Sequence, residues 1–486
     1  MENSNKSEKI IKLPSKASNF SEWYTSVLIS SEFIDYSPVS GSLVFRPDSY
    51  FVWSMIQQAV DPMLKNAGIQ DFYFPLLIPK SLLEKEAEHI KGFAPEVAWV
   101  TRTGNSELDE WLAIRPTSET LMYEVVSKWI RSWRDLPLKM NQWNNVLRWE
   151  FKHPTPFFRS REFLWNEGHT IYASLEEADA ERDVILGIYL KVLKDYLALP
   201  GIPGRKTDNE KFAGALASYS IEHIIPDGNA IQGPDFHSDG QNFSKAFGIK
   251  FIDKEGNTQF AYQNTFAIST REIGVMVAVH GDDKGLIIPP RLARIQVVII
   301  PIYNNANSSK IISYAKNIEE ILSKSFRCYV DDRDNYSPGW KFNEWELKGV
   351  PVRIEVGARE VESKTATITR RDTFEKASTS ILSLENFVSK LLDSIHENLY
   401  NRAKANLEAS IHYADTYESF KEQLAKYKGF ISAPWCGNTE CELKIKEETG
   451  AKATNMPFDN QPPKDGARCI YCGKEAKHIV NFAKSY

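Results

Sequence analysis

Two groups of residues have types and spacings that could do chemistry. Four of the five cysteines fall in the last 51 residues, as C-x4-C (Cys436, Cys441) and C-x2-C (Cys469, Cys472), with 27 residues between the pairs. Turn residues flank them ("CGN", "CGK"), and two close thiolate pairs of this kind suit a closed tetrahedral Zn²⁺ site. A closed site leaves no position for a substrate, so its role is structural; a redox pair or free thiols are the alternatives. The second group is "RWEFKHPTPFFRSREFLWNEGHT", Arg148 to Thr170. Arg148, Glu150, Arg161 and Glu162 alternate with Trp149, Phe151, Phe163 and Trp165 in two strand-like runs joined by a Pro-containing loop. A half-solvated hairpin needs one polar and one apolar face, and nothing in that demands arginine. Arginine supplies a bidentate fork for phosphate and an aromatic supplies a stacking face, so the mixture fits a flat ligand carrying phosphates. Taken singly, Arg148 and Glu150 read as a surface ion pair, and Phe163 and Trp165 as core.

Something has to position these groups. A chain of 486 residues, 42% hydrophobic and 25% charged, is ordinary for a soluble protein of two to four domains. The net charge of −5 confines any nucleic-acid partner to local basic patches. The start "MENSNKSEKIIKLP" lacks a signal-peptide core, no window has the apolar length of a membrane span, and the cysteines do not form a secreted framework. A cytoplasmic protein is expected. The block up to about Arg294 mixes helix and strand patterns. In "RPDSYFVWSMIQQAVDPMLKNAG", Val52, Ile56, Val60, Met63 and Leu64 share a helical face, Pro62 should bend the helix and Gly68 can cap it. From "RIQVVIIPIY" onward, strands "FRCYV", "PVRIEVG" and "TATITRR" alternate with helices, one carrying Ile311, Ala315, Ile318 and Leu322; a compact α/β domain is predicted. A long helix over about Leu384 to Glu408 leads to the cysteine block, and Cys328 is read as a buried strand residue.

The first block carries an ordered series: "DFYFPLLIP", "IRPTSET", "RWE" and "RSREF", "EKFAGA", "IQGPDFHSDGQNFSKAF" and "FAISTREIGVMVAVHGDDKGLIIPP". This series resembles the class II aminoacyl-tRNA synthetases, and more narrowly the prolyl-tRNA synthetases of archaeal and eukaryotic type, from about residue 18 to the C-terminus. The resemblance implies a mixed α/β (α+β) chain in three parts. These are a class II antiparallel-sheet catalytic domain (1–293), an α/β anticodon-binding domain with its following helix (294–408) and a small zinc-binding α+β domain (409–486). It further implies Pro75 packing across a homodimer interface, Arg148 on the α-phosphate and Glu150 reading the nucleotide. Arg159 and Ser160 would cover the triphosphate and purine, Phe163 would stack on adenine, and Arg271 would sandwich the purine and bind phosphate, with Ser269 nearby. Gln232 would touch ATP and Mg²⁺. For L-proline, Thr117 and Glu119 would accept the ammonium donors, Arg148 would bind the carboxylate, and Phe212, Trp165 and His237 would enclose the ring, with Glu167 and His169 close by.

The implied reaction is proline activation by ATP followed by transfer to tRNA(Pro). Its nucleophile is an already ionised carboxylate, so alignment and charge stabilisation by arginines and Mg²⁺ suffice. Fewer than a hundred residues separate the second and third motifs, which leaves no room for the editing insertion of bacterial relatives. The chain departs from the family at Pro234, Asp235 and Phe236 and at Thr265, Phe266 and Ala267; Asp235 sets a carboxylate where the family has threonine, placed to hold magnesium or the ammonium. Lys348, Arg353, Glu355, Arg359, Arg370 and Arg371 are candidates for reading anticodon bases. The end "VNFAKSY" has Val480 and Phe482 to dock it, and the resemblance tucks Tyr486 toward the active site. A synthetase-like protein that binds tRNA or nucleotide without charging is the alternative.

Overall fold

The computed structural model describes residues 12–89 and 96–485; Tyr486 lies outside them. Its main feature is an 11-stranded sheet in the order Ile411–Tyr413, Phe430–Trp435, His478–Ala483, Lys452–Pro457, Ile202–Arg205, Ala217–Ile224, Ala230–Gly240, Tyr262–Ser269, Glu162–Tyr172, Leu138–Leu147 and Gln70–Asp71. The six strands from Ile202–Arg205 to Leu138–Leu147 pair antiparallel throughout. Side chains alternate along them, so each strand has a packed back and a chemical front. On the back, Phe236 stacks on Phe266 (6.4 Å, 3°) in a core with Ile185, Tyr189 and Val192 of the helix Leu175–Asp195. Gly168 has to be glycine here: a Cβ would lie 1.9 Å from the Phe266 ring. Ser174 opens that helix by accepting from Glu177 N (3.3 Å), a cap that Glu176 and Glu177 reinforce in the first turn.

The second body is a five-stranded sheet, Cys328–Val330, Val297–Pro301, Val352–Val356, Thr365–Arg370 and Lys376–Ser380, parallel at its first two pairings and antiparallel at the others. The predicted face Ile311, Ala315, Ile318 and Leu322 is fully buried against it. The helix Leu384–Ala409 then returns the chain to the large sheet. Its last four strands in sequence carry the cysteine module, and Lys452–Pro457 joins them to Ile202–Arg205.

Three expectations need correction. The first strand-like run ends early: the strand stops at Leu147, and Arg148–Glu150 turn away from the sheet. The run "DFYFPLLIP", strand-like by its apolar content, is broken at Pro75, which lies between the strands Gln70–Asp71 and Leu77–Pro79 and is in neither. Cys328 begins its strand half-buried, at the sheet's edge. The helix Pro47–Asn66 runs through Pro62 without a break, and Gly68 follows its end at φ +83°, a left-handed turn that glycine adopts without strain.

Candidate active site

A cavity of about 260 Å³ opens on the front of the central sheet. Strand register lays two rows across its floor: Asp235, Ala267 and Glu167, then His237, Thr265 and His169. The short helix Glu119–Val126 delivers Thr117 and Glu119 from the side. Ser118 is that helix's N-cap, and its side chain makes no capping bond; its hydroxyl goes to Glu167 instead, at 2.6 Å.

Buried ionisable groups dominate this floor. Burial alone would raise the Glu167 carboxyl, yet His169, 3.4 Å away, with Ser118 and Asn144, holds it down at about 2. Glu167 accepts from Ser118 N (2.7 Å), Thr117 Oγ1 (3.0 Å), Gln142 Nε2 (3.2 Å) and Asn144 Nδ2 (3.0 Å) as well. Glu119, Glu167 and His169 bring their ligand atoms within 4.8 Å of one another, but so many donors on Glu167 make this a hydrogen-bond network rather than a cation site. Burial pushes the Glu119 carboxyl up, partly offset by His169, and it shares a hydrogen bond with the Thr117 hydroxyl. A substrate ammonium entering here would give Glu119 a positive counter-charge and favour its ionised form. His169 and His237 are raised despite burial, by Glu167 and Asp235 respectively. His237 also stacks on Phe212 (4.8 Å) and bonds Ser218 Oγ (2.8 Å).

Arginines close the remaining walls. Arg148 donates from Nε to Pro116 O (2.9 Å) and holds its guanidinium 5.4 and 5.3 Å from the Phe163 and Trp165 ring centroids. A second cavity of about 220 Å³ adjoins the first through Lys206 and Gln232, and Phe158, Arg159, Arg271 and Ser485 line it. Arg271 donates to Gln232 O (3.0 Å) and Phe158 O (3.3 Å), and Gln232 Nε2 donates to Asp235 Oδ2 (2.9 Å).

Of the expected ligand contacts, Thr117, Glu119, Arg148, Trp165, Glu167, His169, Phe212, Gln232, Asp235 and His237 line the first cavity, and Arg159, Gln232 and Arg271 the second. Glu150 is exposed and lines neither. The Ser160 hydroxyl accepts from Phe157 N (3.1 Å), and that of Ser269 from Arg271 N (3.3 Å), so both shape backbone. Sequence reasoning missed Lys206 and Glu210 in the wall and Asp239 beneath the floor. Strand period pointed to Asp239, two residues past His237; nothing local marks Lys206, whose partner Glu222 (2.6 Å) is sixteen residues on.

The four cysteine sulfurs lie within 4.8 Å of one another, with Cys436 Sγ 3.7 Å from both Cys441 and Cys472. Tetrahedral Zn–S bonds of about 2.3 Å require edges of about 3.8 Å, far from the roughly 2.05 Å of a disulfide. The donor set fits zinc.

A front-facing antiparallel sheet with paired arginines, a second body on a mixed five-stranded sheet and a cysteine module define a class II aminoacyl-tRNA synthetase. The family models agree: the class II core domain (G, H, P, S and T) matches residues 99–280, the anticodon binding domain 296–393 and the prolyl-tRNA synthetase C-terminal domain 417–486. The chain is 47% identical over 468 residues (96% of each chain) to a proline–tRNA ligase of Alkaliphilus oremlandii, and 45% over 469 residues (96% of each) to proline–tRNA ligase 2 of Clostridioides difficile. The prolyl-tRNA synthetase of Cryptosporidium parvum, solved with halofuginone and AMPPNP, superposes with a TM-score of 0.93 at 44% identity, covering 97% of this chain and 99% of that one. The chain belongs to the prolyl-tRNA synthetase family.

Proposed function

We propose that the chain is a proline–tRNA ligase that activates L-proline with ATP and transfers it to the 3′ end of tRNA(Pro), without editing in cis. The observation that carries this is the cup of Thr117, Glu119 and Glu167 facing Arg148, with Arg271 in the adjoining cavity. The proline ammonium would meet Thr117 and Glu119, and its carboxylate would face Arg148. That carboxylate forms a bond to the α-phosphorus, the α–β phosphoanhydride breaks, and pyrophosphate leaves with the electron pair. No protein base is required. Arg148, Arg159 and Arg271 neutralise charge on the phosphoryl oxygens, and the Phe163 face offers a surface for adenine. A class II core implies ATP and Mg²⁺; Gln232 and Asp235 would hold the metal. In the second step a terminal ribose hydroxyl of tRNA attacks the prolyl carbonyl and AMP leaves. Zn²⁺ on Cys436, Cys441, Cys469 and Cys472 would be structural.

The division at 293/294 and 408/409 remains our reading of the domains. Homodimerisation is supported by exposed Tyr73, Leu76, Leu77, Trp99 and Trp111 around the three-stranded sheet 77–114, an apolar surface of the kind that interfaces cover. Among the described residues no helix is long and apolar enough to cross a membrane, and we place the protein in the cytoplasm. Proline-dependent ATP–pyrophosphate exchange tests the function; absence of exchange with every amino acid would overturn it.

A further inference from the structure

We infer that Glu442 is a positioning residue for the amino-acid pocket, fastening the loop that carries Glu210 and Phe212 to the helix of the cysteine module. The inference rests on the ligase reading for its assay.

Glu442 follows Cys441 in the first turn of the helix Thr439–Thr449 and is 2% exposed. Its Oε1 accepts from Thr207 Oγ1 at 2.9 Å and from Asn209 Nδ2 at 3.4 Å, reaching across more than 230 residues of chain. Its Oε2 is buried with no hydrogen-bond partner among the described residues. A carboxyl left half-satisfied in the interior costs stability relative to an apolar side chain of similar size. What Glu442 supplies is therefore a fixed point rather than net stabilisation.

The fixed point sits under the pocket wall. Thr207 O accepts from Glu210 N (3.2 Å) and Lys211 N (3.0 Å), which folds the loop into a tight turn. Glu210 and Phe212 leave that turn to line the first cavity. On its far side Phe212 N donates to Ser218 Oγ (2.9 Å), the hydroxyl that also meets His237. Lys446, one helical turn past Glu442, and Lys452 lie 3.9 and 3.6 Å from the Glu210 carboxylate. The module thus grips both ends of the turn. Beside it, a Cβ on Gly204 would lie 2.5 Å from Met456 O, so the two backbones are in contact where Lys452–Pro457 joins the catalytic sheet.

The turn that Glu442 holds carries Phe212, which stacks on His237, whereas Lys206 at its base is held separately by Glu222 and the arginines come from other segments. Releasing the turn should loosen proline without disturbing ATP. Glu442→Ala, Glu442→Gln and Thr207→Val are to be compared with the unmutated protein by proline-dependent ATP–pyrophosphate exchange, with bound zinc and melting temperature measured on the same samples. Glu442→Ala should raise KM for proline by about 5- to 20-fold, with kcat and KM for ATP within about twofold and zinc retained. Glu442→Gln keeps an acceptor oxygen for Thr207 and should restore KM. Thr207→Val should reproduce the defect, and the Glu442→Ala/Thr207→Val double variant should be no worse than either alone. An unchanged KM for proline in Glu442→Ala or Thr207→Val overturns the inference. So does a parallel rise in KM for ATP, or failure of glutamine to rescue. If Glu442→Ala sheds zinc, Thr207→Val, which leaves the cysteine helix untouched, decides alone. No exchange in the unmutated protein would overturn the ligase reading, whereas normal exchange with unaffected variants overturns this inference only.

Discussion

Arg371, at the end of the five-stranded sheet, grips Asp282 of the catalytic body with both terminal nitrogens, at 2.8 and 2.6 Å. The guanidinium is buried, and its Nε donates to Glu346 O (2.9 Å). Asp282 lies two residues beyond the helix Arg271–His280, and its carbonyl accepts from Trp23 (2.9 Å). One helix therefore carries Arg271 at its start and runs at its end into the joint with the second body. This contact also turns Arg371 inward, onto the catalytic body. Lys348, Arg353 and Arg370 are likewise mostly buried in ion pairs, whereas the Arg359 side chain is 83% exposed.

Breaking this pair should separate the bodies. The Asp282 side chain is about one-third exposed, so a double-mutant cycle of Arg371→Met and Asp282→Asn in urea should give a coupling of about 1–2 kcal/mol. Either single variant should lower tRNA charging more than pyrophosphate exchange. Additive single effects would show that the pair does not couple the bodies.

Arg148→Ala should reduce adenylate formation by at least about 100-fold, with tRNA binding almost unchanged because the anticodon contacts lie on the other body. Filter binding of tRNA(Pro) beside the exchange assay checks this; equal loss in both would mean that the variant unfolds.

The second body was legible because its signals are local: helix and strand periods placed Ile311 to Leu322 and the strands near 297 and 352 correctly. The candidate site was legible as an ordered series of words, most of which converge on two cavities. What escaped is non-local. Lys206 is held by Glu222 and loop 206–212 by Glu442, and neither pairing leaves a trace near either residue. The turn at Arg148 was misread because alternating charged and aromatic residues look like a strand; there the chain instead points Arg148 at two rings.

Asp239 makes stability depend on pH. Burial, helped by Glu119 and opposed by His237 and His169, raises its pKa from 3.8 to about 7. Between these values the native state holds a proton that the unfolded chain has lost, so this contribution falls as pH rises through the window. Asp239→Asn removes the dependence. Its stability relative to the unmutated protein should rise by about 1–3 kcal/mol between pH 5 and pH 8, read from urea melts at the two pH values. An equal difference at both would contradict the assignment.

Metal removal should act through folding. Cys441→Ser removes one of four sulfurs, and because zinc affinity is coupled to folding, zinc content and melting temperature should fall together. Freshly purified protein without zinc by metal analysis would refute the site.

The C-terminal strand bears on the second cavity directly. Val480 and Phe482 are fully buried in His478–Ala483, so the docking expected of them is real. Beyond the strand, Ala230 N donates to Lys484 O at 2.7 Å and Ser485 lines the cavity shared by Arg159 and Arg271. Lys484 and Ser485 lie outside the strand that buries Val480 and Phe482, so ending the chain at Ala483 spares the core while opening the cavity wall. Deletion of 484–486 should lower proline-dependent exchange several-fold and the melting temperature by only a few degrees. Calorimetry and exchange on one preparation separate the two effects. A full exchange rate in the truncated protein would mean that this segment only seals the sheet edge at Ala230, and that Arg271 is held sufficiently by Gln232 and Phe158.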